Sequence, residues 1–588
     1  MQNAIAFSDN DIVMIAWSYG KKPEGCMGFA IYRVYADGKE AVLPSHAVFP
    51  GNRIQFGQTT AEFPVQKFYW KDPYARLEAQ QTGNNKFRYK IVPLHGDPGQ
   101  LTPMNLPNII SNEIEISPVV SDGMKAYFNR GLISTQHVSE ALGGKPTKEK
   151  LLEQIEKSGN PLRTSLTGDM AGALLGFLDR AQTSGRIYAA LYELGDEELI
   201  AKLENIGERL SIILANSIGA DPEDPKTKID ENDPARERLK KTTKEIYDRI
   251  MPSGHIAHNK FLVYADDGGI ARAVLFGSTN WTSTGLCAQT NNTIVLDNDQ
   301  VAKRYLDYWK QLAKDTKNAD GNPKDLQGGD LRAWDAKGAT LTVDGASSAE
   351  SWFSPNTPTA RKKGGSEKSP RDMAQLIDLI NGAQHALLFL LFYPGTPSLA
   401  NWTADAARKN KNLFVRGCVT NKSASEAFYY QLRGMTPPKK IKGQKNPVMQ
   451  DPRVFGAEAF TGKEIPEGWQ HEILNAGFAI IHDKILVIDP FSDQCVVATG
   501  SHNLGYKASY DNDENLMIIQ GNKRLAAAYA THVFDIYDHF SFRYWINHSK
   551  SQKNYFLETD PDKWMDKYFD ADGHIINAQL KFWMQAAL

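Results

Sequence analysis

His258 and Lys260 stand two residues apart in "HNKFLVYADDGGIARAVLFGSTN", and 224 positions later His482 and Lys484 repeat the pair in "IIHDKILVIDPFSDQCVVATGSHN". Each H-x-K runs through an apolar segment into G-S-x-N: Gly277, Ser278 and Asn280 in the first copy, Gly500, Ser501 and Asn503 in the second. A polar cluster then opens another apolar run, which pairs Asn291 with Glu514 and Asn292 with Asn515. One H-x-K alone carries no weight, because a half-buried strand with polar residues facing water explains it. Two copies, each followed by G-S-x-N at nearly the same distance, call for chemistry. These residue types suit a phosphodiester. Two ammonium groups and two carboxamides can hold its non-bridging oxygens. One neutral imidazole can attack phosphorus while a second, protonated, donates to the leaving oxygen and later deprotonates water. A carboxylate such as Asp489 can fix a histidine's tautomer and stabilise its cation. Nothing resembles a carboxylate cluster or a Gly-Lys-Ser/Thr loop, so metal or nucleoside-triphosphate chemistry has no comparable support.

The elements that must position these residues alternate in type. Helical periodicity in "EKLLEQIEKSG", "AGALLGFLDRAQTSG" and "DEELIAKLENIGER" surrounds the buried-strand runs "RIYAALYEL" and "LSIILANS". The second half repeats the order with "DMAQLIDLINGAQ", "HALLFLLFYP", "WTADAARKNK" and "LFVRGCVTN". Alternation predicts an α/β architecture with mixed or parallel sheets, and its recurrence predicts duplication. The first ~118 residues differ: short β-branched and aromatic runs without intervening helical patterns predict a small all-β sandwich. Trp17, "FAIYRV" and "FRYKIVPL" loosely resemble a fibronectin type III module, which is assigned no catalytic role. The expected layout is a β-module over 1–118, a first lobe over 122–318, a linker over 319–345 and a second lobe with a C-terminal helical extension over 346–588.

The duplicated motif resembles the phospholipase D superfamily, whose mark is H-x-K-x4-D followed by G-S-x-N, twice per active site. The resemblance covers roughly 122–545. It implies two α/β lobes about a pseudo-twofold axis, with one His, one Lys and one Asn from each converging on a single phosphate. It also implies a phosphodiesterase that needs no metal or cofactor and works through a covalent phosphohistidine. Family tendency makes His258 the nucleophile and His482 the acid, although the residues themselves leave the two roles nearly even. His258, Lys260, Asn280, His482, Lys484, Asp489 and Asn503 are thus the expected catalytic set, with Ser278, Ser501, Asp266, Asn292, Glu514 and Asn515 in support. The first copy departs from the pattern, having Ala265 at the aspartate position. Asp266 precedes Gly277 by the same 11 residues that separate Asp489 from Gly500, so a one-residue insertion such as a β-bulge would restore it. The competing reading leaves Asp266 and Asp267 in a plain turn. The tyrosyl-DNA phosphodiesterase branch also lacks this aspartate.

Other candidates have bland readings beside the functional ones. His255 with His258 makes H-x-x-H without a third ligand cluster, which favours a structural or substrate-lining role over zinc. His502 either lines the pocket or supports it from behind. Glu514 either orients a motif histidine or lysine or makes a strand-end salt bridge. Trp402 either rims the cleft or packs at the core edge. Lys439, Lys440, Lys442 and Lys445 form a solvated loop or a contact for DNA or an anionic membrane.

Composition narrows the class. Lys+Arg number 67 against 69 Asp+Glu, so overall charge does not mark a nucleic-acid binder. The four cysteines are scattered singly, the N-terminus lacks secretory-signal character, and "HALLFLLFYP" is too short to span a bilayer. The expectation is a cytoplasmic, reducing-compartment protein, with signal-independent export open. The lack of a spanning segment counts against a cardiolipin synthase. Near-neutral charge and an aromatic second lobe place phospholipid headgroup hydrolysis narrowly ahead, with peripheral membrane contact. A nuclease of defence or toxin type is the alternative. A non-catalytic lipid- or nucleic-acid-binding scaffold ranks third, and the β-module's partner stays unassigned.

Overall fold

The computed structural model describes residues 3–45, 47–53, 55, 57–132, 136–143, 147–220, 226–362, 368–438, 449–457, 480–548 and 556–585. The lysine run at 439–445 lies outside them. Two eight-stranded mixed sheets carry the molecule. The first comprises β1 (Val119–Ser121), β2 (Met124–Phe128), β3 (Arg186–Leu191), β4 (Leu210–Ala215), β5 (Glu245–Arg249), β6 (Lys260–Ala265), β7 (Ala271–Gly277) and β8 (Asn292–Asp297). The second comprises β9 (Ala339–Thr342), β10 (Ser348–Ser354), β11 (Ala386–Leu391), β12 (Phe414–Val419), β13 (Val454–Gly456), β14 (Ile485–Ile488), β15 (Val496–Gly500) and β16 (Glu514–Gln520). The spatial order is β1-β2-β8-β7-β6-β3-β4-β5 in one and β9-β10-β16-β15-β14-β11-β12-β13 in the other, so each strand has a counterpart eight numbers on.

Sequence pattern explains the layout. β3, β4 and β5 run parallel, as do β11, β12 and β13, and parallel neighbours need crossover helices. Those crossovers include Glu197–Ile206, whose N-cap Asp196 accepts from the Leu199 N–H, and Leu399–Lys409, closed by a capping box at Ser398. Strands covered on both faces must be apolar throughout, and every residue of β4 and of β11 is buried.

The two lobes are tied by their last helices. Asp299–Asn318 follows β8 and Lys523–His548 follows β16. Tyr308 of the first helix stacks on Phe353 of β10 and Tyr305 meets the same ring edge-on, with centroids 3.9 and 5.2 Å away, so a first-lobe helix packs on second-lobe sheet. Tyr529 and His532 of the second helix pack reciprocally on Phe128 of β2, at 4.9 and 4.6 Å. The same hydrophobic core therefore contains residues of both sheets.

Among the described residues of 3–116 are two small antiparallel sheets, one of Asn3–Ser8, Val13–Ser18 and Tyr69–Asp72, the other built on Gly28–Val34 and Lys86–His95. A helix, Ala75–Thr82, interrupts what the sequence pattern presented as strands alone; its weak amphipathic face buries only Ala75. The C-terminal segment does more than extend the second lobe. Trp564 donates its indole N–H to Cys26 O (2.7 Å), and Trp564, Tyr568 and Phe569 surround Phe68 with centroids at 5.0–5.6 Å. Residues near the C-terminus thus complete the N-terminal core. Among the described residues, no helix is long and apolar enough to cross a membrane.

One ion pair secures the lobe seam. Arg249, at the end of β5, is fully buried and forks onto Asp513 of the second lobe (2.5 and 3.2 Å), while another nitrogen reaches Asp315 (2.9 Å). Removing a buried partner leaves uncompensated charge, which costs roughly 3–5 kcal/mol. Arg249→Met is expected to lower stability by about that amount in urea denaturation. The exposed Lys157–Glu153 pair serves as control, with less than about 0.5 kcal/mol expected on Lys157→Ala. A loss below about 1 kcal/mol in Arg249→Met would show that the seam does not depend on this pair.

Candidate active site

Alternation along an extended chain puts residues i and i+2 on one side and i+1 on the other. Each H-x-K exploits this at the point where the chain crosses between lobes. The His258 N–H donates to Asp513 O (2.9 Å) and the His482 N–H to Thr290 O (3.1 Å), so each segment adds to the opposite lobe. The intervening residues, Asn259 and Asp483, accept from the carboxamides of Asn515 (3.0 Å) and Asn292 (2.9 Å) respectively. Asn259 also donates to the Tyr308 hydroxyl, and Asp483 receives the His532 imidazole, both at 3.0 Å. Ser278 and Ser501 hold Asn292 and Asn515 in place through their backbone N–H groups, again both at 3.0 Å.

The histidines are oriented crosswise. His258 Nδ1–H donates to Glu514 Oε2 of the second lobe, and His482 Nδ1–H donates to Asn291 Oδ1 of the first, both at 2.9 Å. The Asn291 amide nitrogen bonds Gly285 O, which leaves its oxygen as the acceptor for His482. With Nδ1 committed in each ring, Nε2 is the nitrogen available to a substrate. The ring centroids lie 6.4 Å apart at 70°, a phosphate-sized gap. Both line a cavity of about 280 Å³ together with Asn280 and Asn503, whose Oδ1 atoms are buried with no hydrogen-bond partner among the described residues.

The glycines preceding these loops are steric necessities. A Cβ at Gly277 would sit 2.2 Å from Asn292 O, and one at Gly500 2.3 Å from Asn515 O, while Gly500 has φ 150°. Close strand approach at that point lets G-S-x-N turn back into the cleft.

Lys260 and Lys484 lie just behind the lining. Each ammonium donates to the carbonyl of its own motif histidine and sits 4.9 Å from an aromatic centroid, Tyr192 for Lys260 and Phe392 for Lys484. The same two rings pack on His258 and His482, at 5.1 and 4.7 Å. Burying four basic groups in one seam disfavours their charged forms. Burial pulls His258 down to about 4, and Lys260 to about 8 against the opposing fields of Glu514 and Glu193. Burial, and then the neighbouring cations, holds His482 and Lys484 well below their ordinary values. Glu514 goes the other way: despite burial, the His258 imidazole keeps its carboxyl below the usual range.

Other expected residues lie elsewhere. Asp489 is five residues past Lys484 along a strand, roughly 16 Å away. Its carboxylate accepts the backbone N–H groups of Gln384, His385 and Ala386 (2.7–2.8 Å), anchoring the start of β11. It orients no histidine; Glu514 and Asn291 do that. Asp266 closes the β6–β7 turn, accepting from the Ile270 N–H and Arg272 Nε, on the surface. The counterpart of Asp489 is Asp267, which accepts from Gly185 N–H (2.6 Å) just ahead of β3. The sheet does have an irregularity here, but the extra residue is Arg272 on β7 rather than one before Asp266. His255 bonds Gln327, His502 bonds Ser509 and the Leu504 N–H in the interior, and Trp402, on the helix Leu399–Lys409, packs on Tyr506.

Sequence reasoning missed Tyr192, Glu193, Phe392 and Tyr393, which line the cavity from the ends of β3 and β11. The signal was present: both dipeptides directly follow equivalent buried strands, in "ALYELG" and "LLFYPG".

The family described as "Cardiolipin synthase, PLD-like domain" matches residues 174–313 and 376–535, more than half of the chain, and the chain belongs to this family of phospholipase D-like, phosphodiesterase-type domains. Among solved structures it is similar to the phosphatidylserine synthase of Haemophilus influenzae Rd KW20 (11% identity, TM-score 0.40, covering 68% of this chain and 91% of that one). It is also similar to yeast tyrosyl-DNA phosphodiesterase (12%, 0.30, 59% and 86%) and to the phospholipase D family member Nuc of Salmonella typhimurium (19%, 0.20, 33% and 95%). No curated protein matches the chain.

Two expectations follow from the electrostatics. Glu514→Gln removes the carboxylate that raises His258, so the His258 imidazole should titrate at still lower pH by NMR, and turnover of bis(p-nitrophenyl) phosphate should fall by roughly 10²-fold or more. An unchanged titration would break the assigned pairing. Free-site Lys260 loses its proton near pH 8, whereas a bound anion favours the ammonium. The basic limb of kcat/KM should therefore lie at lower pH than that of kcat, and coincident limbs would count against Lys260 as an anion-holding group.

Proposed function

We propose that the protein is a phosphodiesterase that cleaves a phospholipid at its headgroup through a covalent phosphohistidine, without a metal. The observation that carries this reading is the pair of buried imidazoles facing one another across a single gap, each with Nδ1 held by the opposite lobe. His258 is the nucleophile because its partner is a carboxylate. Its Nε2 lone pair forms the N–P bond, and Glu514 stabilises the cationic ring that results. His482, protonated in the complex where the substrate anion offsets the cations, gives its Nε2 proton to the leaving oxygen as the P–O bond breaks. In the second half-reaction His482 takes a proton from water, water oxygen bonds phosphorus, and the P–N bond breaks to restore neutral His258. An alcohol in place of water gives transfer by the same steps. Lys260 and Lys484, behind the lining, supply field, and the Asn280 and Asn503 carboxamides supply hydrogen bonds as charge builds on the non-bridging oxygens.

Lipid is favoured over a polynucleotide by the mouth. Phe392, Tyr393, Pro394 and Ile256 line it, Tyr393 is 53% exposed, and Lys507 is the sole cation among the described lining residues outside the motifs. Purified protein in EDTA, offered phosphatidylcholine vesicles and plasmid DNA in parallel, should release headgroup and leave DNA intact; nicking with intact lipid would reverse the choice. His258→Asn and His482→Asn should each lower lipid turnover by at least about 10³-fold. With bis(p-nitrophenyl) phosphate, whose leaving group needs no proton, His482→Asn should still release a burst of one nitrophenolate per protein and His258→Asn none. The opposite pattern would exchange the two roles.

A further inference from the structure

The pseudo-twofold that relates the two motifs holds for the first residue after each central strand, aromatic in both lobes, and fails at the second. After β3 this is Glu193; after β11 it is Tyr393. Both line the cavity. Glu193 is half-buried, and its Oε2 accepts a 2.6 Å hydrogen bond from Asn280, one of the carboxamides assigned to the phosphate. A second carboxylate, Glu231, lies close enough to Glu193 to oppose its ionisation and accepts from the Ser217 hydroxyl (3.2 Å). Tyr393, Pro394 and Lys507 line the same cavity.

A carboxylate at this position is a liability for a site that binds only anions. It repels the phosphate, and it occupies a donor the phosphate would use. Burial pushes the Glu193 carboxyl up from its ordinary value, with Lys260 opposing. A cation placed beside it would favour its ionised form and remove the repulsion. The ester of a short amino alcohol fits this arrangement, because its ammonium is one ethylene unit from the phosphate oxygen. A polynucleotide, a glycerol headgroup and a second phosphatidyl group carry no such charge.

Resting on the phospholipid reading above, we infer that Glu193, aided by Glu231, recognises the ammonium of a zwitterionic headgroup, making this site selective for phosphocholine- or phosphoethanolamine-type diesters over anionic phospholipids. Glu193 here is a specificity residue that touches substrate and takes no part in proton transfer. Tyr192 and Phe392 are already committed to the lysines beneath them, so the selectivity resides in the carboxylates.

The test is the ratio of kcat/KM for phosphatidylcholine to that for phosphatidylglycerol of the same acyl chains, in mixed micelles at fixed ionic strength. Bis(p-nitrophenyl) phosphate runs alongside as a measure of intact chemistry. The wild-type ratio should exceed about 10, which corresponds to about 1.4 kcal/mol and is within the reach of one hydrogen-bonded contact to a charged group. Glu193→Gln should reduce the ratio about 10-fold, mainly through KM for phosphatidylcholine. Glu193→Asp should retain part of it, and Glu231→Gln, altering an exposed side chain, should reduce it to a smaller extent. A wild-type ratio near one, or a ratio that Glu193→Gln leaves unchanged, overturns the inference while the phospholipase reading stands. Turnover of the chromogenic diester with neither lipid cleaved overturns the lipid reading and this inference with it.

Discussion

Neither lobe can finish its own histidine. Each imidazole projects from one lobe and finds its Nδ1 acceptor in the other, and each H-x-K segment gives its leading backbone N–H to the opposite lobe. Docking the lobes and assembling the site are therefore one event. This arrangement must overcome the cost of burying two lysines and two histidines in a common seam. Their titration is displaced towards the neutral forms, and Glu514 and Glu193 offset part of the accumulated charge.

The remaining architecture keeps that seam rigid. Tyr305 and Tyr308 cross to Phe353, Tyr529 and His532 cross to Phe128, and Arg249 forks onto Asp513. Tyr308 and His532 also reach the middle residues of the two motifs, which links helix packing to the orientation of the H-x-K segments. The symmetry is broken at two points in the site. Asn291 against Glu514 gives two similar imidazoles different partners, one neutral and one charged. Glu193 against Tyr393 puts unlike side chains at equivalent strand ends on the cavity lining.

Much of this was legible beforehand. The alternation of helices and strands and the repeat of their order survive intact in the two sheets, because periodicity is a local consequence of which face is buried. The positions of His258, His482, Asn280 and Asn503 were equally readable, since a duplicated unit preserves spacing. Asp489 misled. Its place in the motif suggested work beside the histidine, yet a carboxylate at the far end of a strand can only serve the backbone there, and Asp267 rather than Asp266 does the corresponding task. The helix Ala75–Thr82 escaped notice because a short helix with one buried residue leaves almost no periodic trace.

Spacing along the chain was enough to identify a twofold motif and an α/β framework to carry it. It was not enough to say which acceptor meets which histidine. Those partners are 256 and 191 residues apart, and nothing in a local pattern encodes a contact across a seam that forms only when two sheets dock. The pairing of Asn291 with Glu514 was visible as a correspondence between copies; that each serves the other's lobe emerged from the packing. The acidic and aromatic residues of the mouth belong to the same category, because a cavity is a property of the docked lobes and of neither alone.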